Sequence, residues 1–97
     1  MSLLMKHTGP LWGVWKIEES SEVLLSLLRN REEYLPQLEL IRIEQRRREW
    51  LACRVLLQEL TDAPVRIAYR PSGAPYLPDS SLHISISHTK GYAAVLL

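Results

Sequence analysis

Residues 40–60 read LIRIEQRRREWLACRVLLQEL. Neither Gly nor Pro interrupts the stretch, and Glu, Gln, Arg, Leu and Ala dominate it, so it predicts a helix over Leu40–Leu60. Its second half is unusual. Trp50, Leu51, Ala52, Cys53, Val55, Leu56, Leu57 and Leu60 cover most of the helix circumference. At about 3.6 residues per turn, Arg47, Arg54, Gln58 and Thr61 share the one remaining polar stripe. A helix that is apolar nearly all round is buried and central. The stripe is then expected to face water, a ligand or a partner.

Working outward, the flanks supply what such a helix packs on. Downstream, Val65–Tyr69 reads as a strand, and Arg70-Pro71-Ser72-Gly73-Ala74-Pro75 as a turn in which Gly73 is free to take positive φ. Leu82–Ser87 alternates, with Leu82, Ile84 and Ile86 on one face and His83, Ser85 and Ser87 on the other. Thr89-Lys90-Gly91 is a hairpin connection, and Tyr92–Leu97 is the return strand. Upstream, Leu11–Ile17 reads as a strand with Trp15 and Ile17 on its apolar face. Ser20 or Ser21 is the expected N-cap of a short helix over Val23–Leu28. Arg31–Leu38 is a further helical piece, in which Pro36 either sits in the first turn or kinks it. Met1–Pro10 reads as irregular. The fold class is therefore α+β: a small, mostly antiparallel sheet packed on a long central helix.

Composition bounds the function. The chain has 97 residues, enough for one domain, and its formal net charge is only +1. That balance argues against nonspecific nucleic-acid binding, which relies on excess Lys and Arg. A single cysteine, Cys53, excludes an intramolecular disulfide and argues against a Cys-based zinc site. No apolar run approaches the roughly 20 residues that span a bilayer, and no secretory signal opens the chain. The expected compartment is the cytoplasm, with no membrane partner. The final run Ala93-Ala94-Val95-Leu96-Leu97 has strand character without a polar tail, and reads as a piece whose continuation lies downstream.

Several residues invite chemistry. Ser87 and His88 are adjacent on a strand, so their side chains point to opposite faces and cannot form a hydrolytic dyad. No acidic residue is evidently placed to orient the histidine. His83 and His88 are too far apart along a strand for one metal. His88 does lie where a strand meets a Gly-containing turn, and a side chain there can hold a phosphate; the alternative is that it bonds hairpin carbonyls. Arg54 presents a planar fork suited to phosphate, and Arg47 lies two turns earlier on its stripe; the alternative is two solvated arginines. The cluster Arg46-Arg47-Arg48 reads as a solvated helix face. Trp12, Trp15 and Trp50 read as core or interface residues, and Cys53 as an inert buried thiol.

Two stretches together resemble a known family. Arg47-Arg48-Glu49-Trp50-Leu51-Ala52-Cys53-Arg54-Val55-Leu56-Leu57 is similar to the early helix motif of the larger, two-lobed 4′-phosphopantetheinyl transferases. Gly73-Ala74-Pro75-Tyr76-Leu77, followed by Ile84-Ser85-Ile86-Ser87-His88-Thr89-Lys90-Gly91-Tyr92-Ala93, resembles that family's next block in order and spacing. The resemblance covers residues 38–97, with the first 37 as a plausible start. It implies an enzyme that moves the phosphopantetheine arm of coenzyme A onto a serine of an acyl, peptidyl or aryl carrier protein, using magnesium. It implies that Arg54 contacts a phosphate of coenzyme A, that Ser87 and His88 hold phosphates, and that Ser72, Gly73 and Ala74 pass their backbone along the adenine. Arg42 and Arg47 are further phosphate candidates.

The resemblance also implies limits. Many members carry a basic residue where this chain has Ala74. The family's Asp-x-Glu magnesium pair and its later Glu and Lys follow the matched blocks, and neither Asp62 nor Asp79 sits in such a motif. Residues 1–97 are thus expected to be an N-terminal lobe without the C-terminal lobe: inactive alone, without catalytic or metal residues of its own, and prone to self-association. Two readings from other classes stand beside it. One is a noncatalytic module that binds a nucleotide or a carrier protein. The other is a structural α+β interaction domain.

Overall fold

The structure is a computed structural model that describes residues 3–8, 11–62, 66–78, 83–89 and 91–97. Its centre is the long helix, which runs over Glu44–Thr61, and in chain order six strands and two shorter helices surround it. Strand β1 is Leu3–Thr8 and β2 is Leu11–Lys16; helix α1 is Ser21–Leu27, α2 is Arg31–Leu38 and α3 is the central Glu44–Thr61; strands β3 to β6 are Ala68–Tyr69, Pro75–Tyr76, Ser85–Thr89 and Tyr92–Leu96. The order across the main sheet is β1-β2-β6-β5, every pairing being antiparallel, and β3–β4 forms a separate two-stranded hairpin. The α+β expectation holds.

Helix α3 packs on β2 and β6 on one side and on α1 on another. Leu51, Ala52, Val55, Leu56 and Leu57 are at most 1% exposed and meet Trp15, Leu24, Ala93 and Val95 in one core. Each of those apolar side chains contributes roughly 1.5–3 kcal/mol by leaving water. Trp15 is fully buried, as its place on the apolar face of β2 predicts, whereas Trp12 and Trp50 are half-buried. No helix among the described residues is long and apolar enough to cross a membrane.

Four expectations are corrected. Residues 3–8 are a strand, because β2 offers them a partner across a register running from Met5↔Val14 to Thr8↔Leu11; nothing local announces it. Helix α3 begins four residues later than Leu40. Residues 39–43 instead form a link, in which Leu40 N–H bonds the Gln37 carbonyl and Ile41 N–H bonds the Leu38 carbonyl. Pro36 is the sixth residue of α2, beyond its first turn, and the helix ends two residues later. The strand expected over Val65–Tyr69 is seen only as Ala68–Tyr69; Val65, like Leu82 and Lys90, lies outside the described residues.

Local chemistry explains the joints. Ser20 caps α1 by accepting from Val23 N–H at 3.3 Å. The Glu44 carboxylate, opening α3, accepts from Ser21 N–H at 3.0 Å and from its hydroxyl at 2.7 Å. These bonds hold the Glu44 carboxyl below its ordinary range. Gln58 does not face solvent. It is 6% exposed, accepts from Arg29 N–H and donates to the Leu27 carbonyl, both at 2.8 Å, and so ties the α1–α2 junction to α3. Thr61 bonds the Leu57 carbonyl one turn back. Of the stripe expected to face water, a ligand or a partner, Gln58 instead forms an internal seam.

Candidate functional site

Arg54 departs most from a surface reading. It is 3% exposed. Its guanidinium lies over the Trp50 ring at 3.5 Å and near the Tyr34 ring at 5.6 Å, while Tyr34 and Trp50 meet edge to face. One terminal nitrogen donates to the Trp50 carbonyl at 3.0 Å and the other to the Tyr69 hydroxyl at 2.9 Å. The Nε–H is buried without a partner, and among the described residues no carboxylate pairs with the charge. A buried cation held only by neutral groups and ring faces is costly, and an anion placed against it would lower that cost.

Such a space exists. A cavity of about 700 Å³ opens beside Arg54, between α3, the link before it, Tyr69 and β5. Arg42, Arg46, Arg54 and His88 line it, against a single carboxylate, Glu49. Leu40, Ile41 and Ile43 add apolar rim, with Leu40 83% exposed. The local balance is cationic although the chain as a whole is nearly neutral.

His88 reaches this cavity from β5, an edge strand, and its Nδ1 lies 2.9 Å from Glu49 Oε2. The histidine therefore does have an acidic partner, and it bonds that partner rather than hairpin carbonyls. The two residues are 39 apart in sequence, so the pairing is legible only once β5 is docked on α3. A partial signal was present: Arg46, Glu49, Trp50, Cys53 and Arg54 recur at helical spacings of three and four and share one face.

The other candidates divide. Arg42 is exposed on the cavity rim. Arg47 is half-buried and does not line the cavity; its Nε donates to the Ile41 carbonyl, fixing the link. Arg48 donates to the Glu19 and Ile17 carbonyls. The Arg46–Arg48 cluster is therefore not a solvated face: two members brace backbone and the third faces the cavity. Ser87 sits on the sheet face opposite His88 and borders a shallow groove with Trp12, Val14 and Ala94. Ser72, Gly73 and Ala74 are exposed in the β3–β4 turn, closed by Gly73 N–H to the Arg70 carbonyl and Arg70 N–H to the Ala74 carbonyl. Gly73 has φ of +92° with open space where a Cβ would stand. Cys53 borders the cavity but is 2% exposed, and burial pushes its thiol up to about 11. Burial likewise raises Tyr34 above its ordinary value. Among the described residues no group of three His, Cys, Asp or Glu side chains could hold a metal ion.

Comparison with known proteins bears on what the cavity is for. The sequence profile of the 4′-phosphopantetheinyl transferase N-terminal domain matches residues 41–97, which include α3, the β3–β4 hairpin, β5 and β6. No curated protein and no solved structure matches the chain. The matched segment spans more than half of the 97 residues and holds every side chain that lines the cavity except Leu40. The chain belongs to the 4′-phosphopantetheinyl transferase family, as an N-terminal portion of it.

Proposed function

We propose that this lobe binds coenzyme A by its phosphates and presents it for transfer of the phosphopantetheine arm to a serine of a carrier protein. The observation that carries the proposal is the buried guanidinium of Arg54, with no carboxylate partner among the described residues, at the wall of a cationic cavity within a segment that matches the family's N-terminal domain. Coenzyme A brings a compact polyanion joined to an adenine, and the cavity offers three arginines, a histidine and an aromatic wall. Arg54 is held in one orientation at the cavity wall by Trp50, Tyr69 and Tyr34. Arg42 and Arg46 stand at the rim and draw the anion in. Tyr69 ends β3, so the exposed Ser72-Gly73-Ala74 backbone hangs from an element of the cavity wall and is offered to the base. Ser87 contributes through its backbone, since its side chain faces away.

The proposed role is substrate holding. Magnesium has no donor cluster among the described residues. On this reading a second lobe provides the metal carboxylates and the base that activates the carrier serine in the cytoplasm. Titration of the chain with coenzyme A, followed by calorimetry and amide chemical shifts, tests the reading. Saturable binding is expected, centred on residues 42–54, 69–74 and 88, and weakened by His88→Ala. Shifts elsewhere, or affinity unchanged by His88→Ala and by Arg42→Ala with Arg46→Ala, would overturn it. A mass gain on an apo carrier protein incubated with the chain, coenzyme A and magnesium would refute the confinement to substrate holding.

A further inference from the structure

We propose, resting on the coenzyme A reading above, that Glu49 is a positioning residue: it fixes the tautomer of His88 and makes phosphate binding take up a proton. Glu49 Oε2 lies 2.9 Å from His88 Nδ1, and the carboxylate side chain is only 19% exposed while the imidazole is 52% exposed. An ionised carboxylate has no proton to give, so Nδ1 carries the hydrogen of this bond. The ring nitrogen left for the cavity is Nε2. In the neutral ring Nε2 is an acceptor, and an ionised phosphate oxygen is also an acceptor. The two cannot bond as they stand. His88 contacts an anion productively only when Nε2 gains a proton from solvent, giving an imidazolium that donates through Nδ1 to Glu49 and through Nε2 to the ligand.

The surrounding charges make this a switch set by the ligand. From α3, Glu49 bonds the ring, and Arg46 and Arg54 line the same cavity. Arg42, in the link before α3, lines it as well. Tyr69 from β3 borders the cavity too, and burial pushes the Cys53 thiol there up to about 11. Three arginines and one carboxylate thus line the cavity beside His88. A bound phosphate adds negative charge beside Nε2 and shifts the balance towards the protonated ring. One proton enters per ligand bound, and no bond other than N–H is made.

The test has two arms. In the ligand-free chain, long-range 1H–15N correlation reads the imidazole tautomer. The Nδ1–H form is expected in the wild type and in Glu49→Gln, whose amide oxygen still accepts, and a mixture is expected in Glu49→Ala. In the second arm, coenzyme A is titrated at pH 8 by calorimetry in buffers of different ionisation enthalpy. Uptake of up to about one proton is expected for the wild type, with affinity falling up to about tenfold per pH unit. Uptake should drop in Glu49→Gln and vanish in His88→Gln. A wild-type ring protonated at Nε2 rather than Nδ1 would overturn the role of Glu49 whatever binds. Coenzyme A binding with no proton uptake would overturn the coupling and leave the coenzyme A reading intact. Absence of binding would instead overturn the coenzyme A reading, and with it the coupling.

Discussion

Replacing Arg54 by Met separates a residue kept for a ligand from one kept for the fold. Met follows the guanidinium's path over Trp50 without its charge. The substitution removes bonds to the Trp50 carbonyl and the Tyr69 hydroxyl, each about 1.5–3 kcal/mol for a charged donor, and a cation–π stack of about 2 kcal/mol. It also removes the desolvation of a guanidinium that is 3% exposed and unpaired by any described carboxylate, which is several kcal/mol. The buried thioether chain returns a further 1.5–3 kcal/mol or so. The acceptors left behind are not stranded: the Trp50 carbonyl lies within the helical ladder and Tyr69 is half exposed. Stability by urea denaturation should therefore change by no more than about 1 kcal/mol. Coenzyme A affinity by calorimetry should fall roughly 10- to 150-fold, the equivalent of one charge-assisted bond. A stability loss above about 3 kcal/mol with little change in affinity would show that Arg54 holds the fold together and would refute the reasoning.

Other consequences are open to measurement. Gln58→Leu removes both bonds at the α1–α2 junction, and because Leu27 and Arg29 retain partial access to water the loss should be about 2–3 kcal/mol, read by urea denaturation; a neutral result would contradict the seam. The Glu44 carboxyl is held low in the folded state, so its stabilising effect is complete above the unfolded carboxylate value and is lost as pH falls through the folded one. The stability gap between wild type and Glu44→Gln should accordingly be widest near pH 7 and close below about pH 4; a gap that widens in acid would reverse the assignment. Cys53 should resist thiol reagents in the native protein and react at the rate of global opening, whereas labelling within seconds would place the thiol in solvent.

What the sequence makes legible here is local or periodic. The Ser20 cap, the apolar girth of α3 and the Ile84–Ile86 alternation each follow from neighbours within a few residues, and each is found where periodicity puts it. What it conceals depends on distant partners. Strand β1 exists because β2 pairs with it. Arg54 is buried because Tyr34 of α2 and Tyr69 of β3 close over it from either side. Glu49 gains meaning from His88 across the sheet edge. Gln58 looks like a surface residue until the chain returning from α1 brings backbone groups against it. The phosphate-site candidates therefore come from motif resemblance and residue type, while their environment, and so their chemistry, is tertiary.

The strand order carries one further consequence, for the order in which the protein assembles. Strands β2 and β6 are neighbours at the centre of the sheet, yet Trp15 and Ala93 are paired across about 80 intervening residues. Closing that span costs on the order of 4 kcal/mol of chain entropy, so β2 cannot gain its inner neighbour early. Strands β1 and β2 are made before β6, so the neighbour that pairs with β2 in the folded sheet is the last of the three to become available. The helices form meanwhile from contacts close in sequence. In pulse-labelled hydrogen exchange, amides of α3 should gain protection before those of β6. Simultaneous protection would mean that the sheet closes as early as the helix forms.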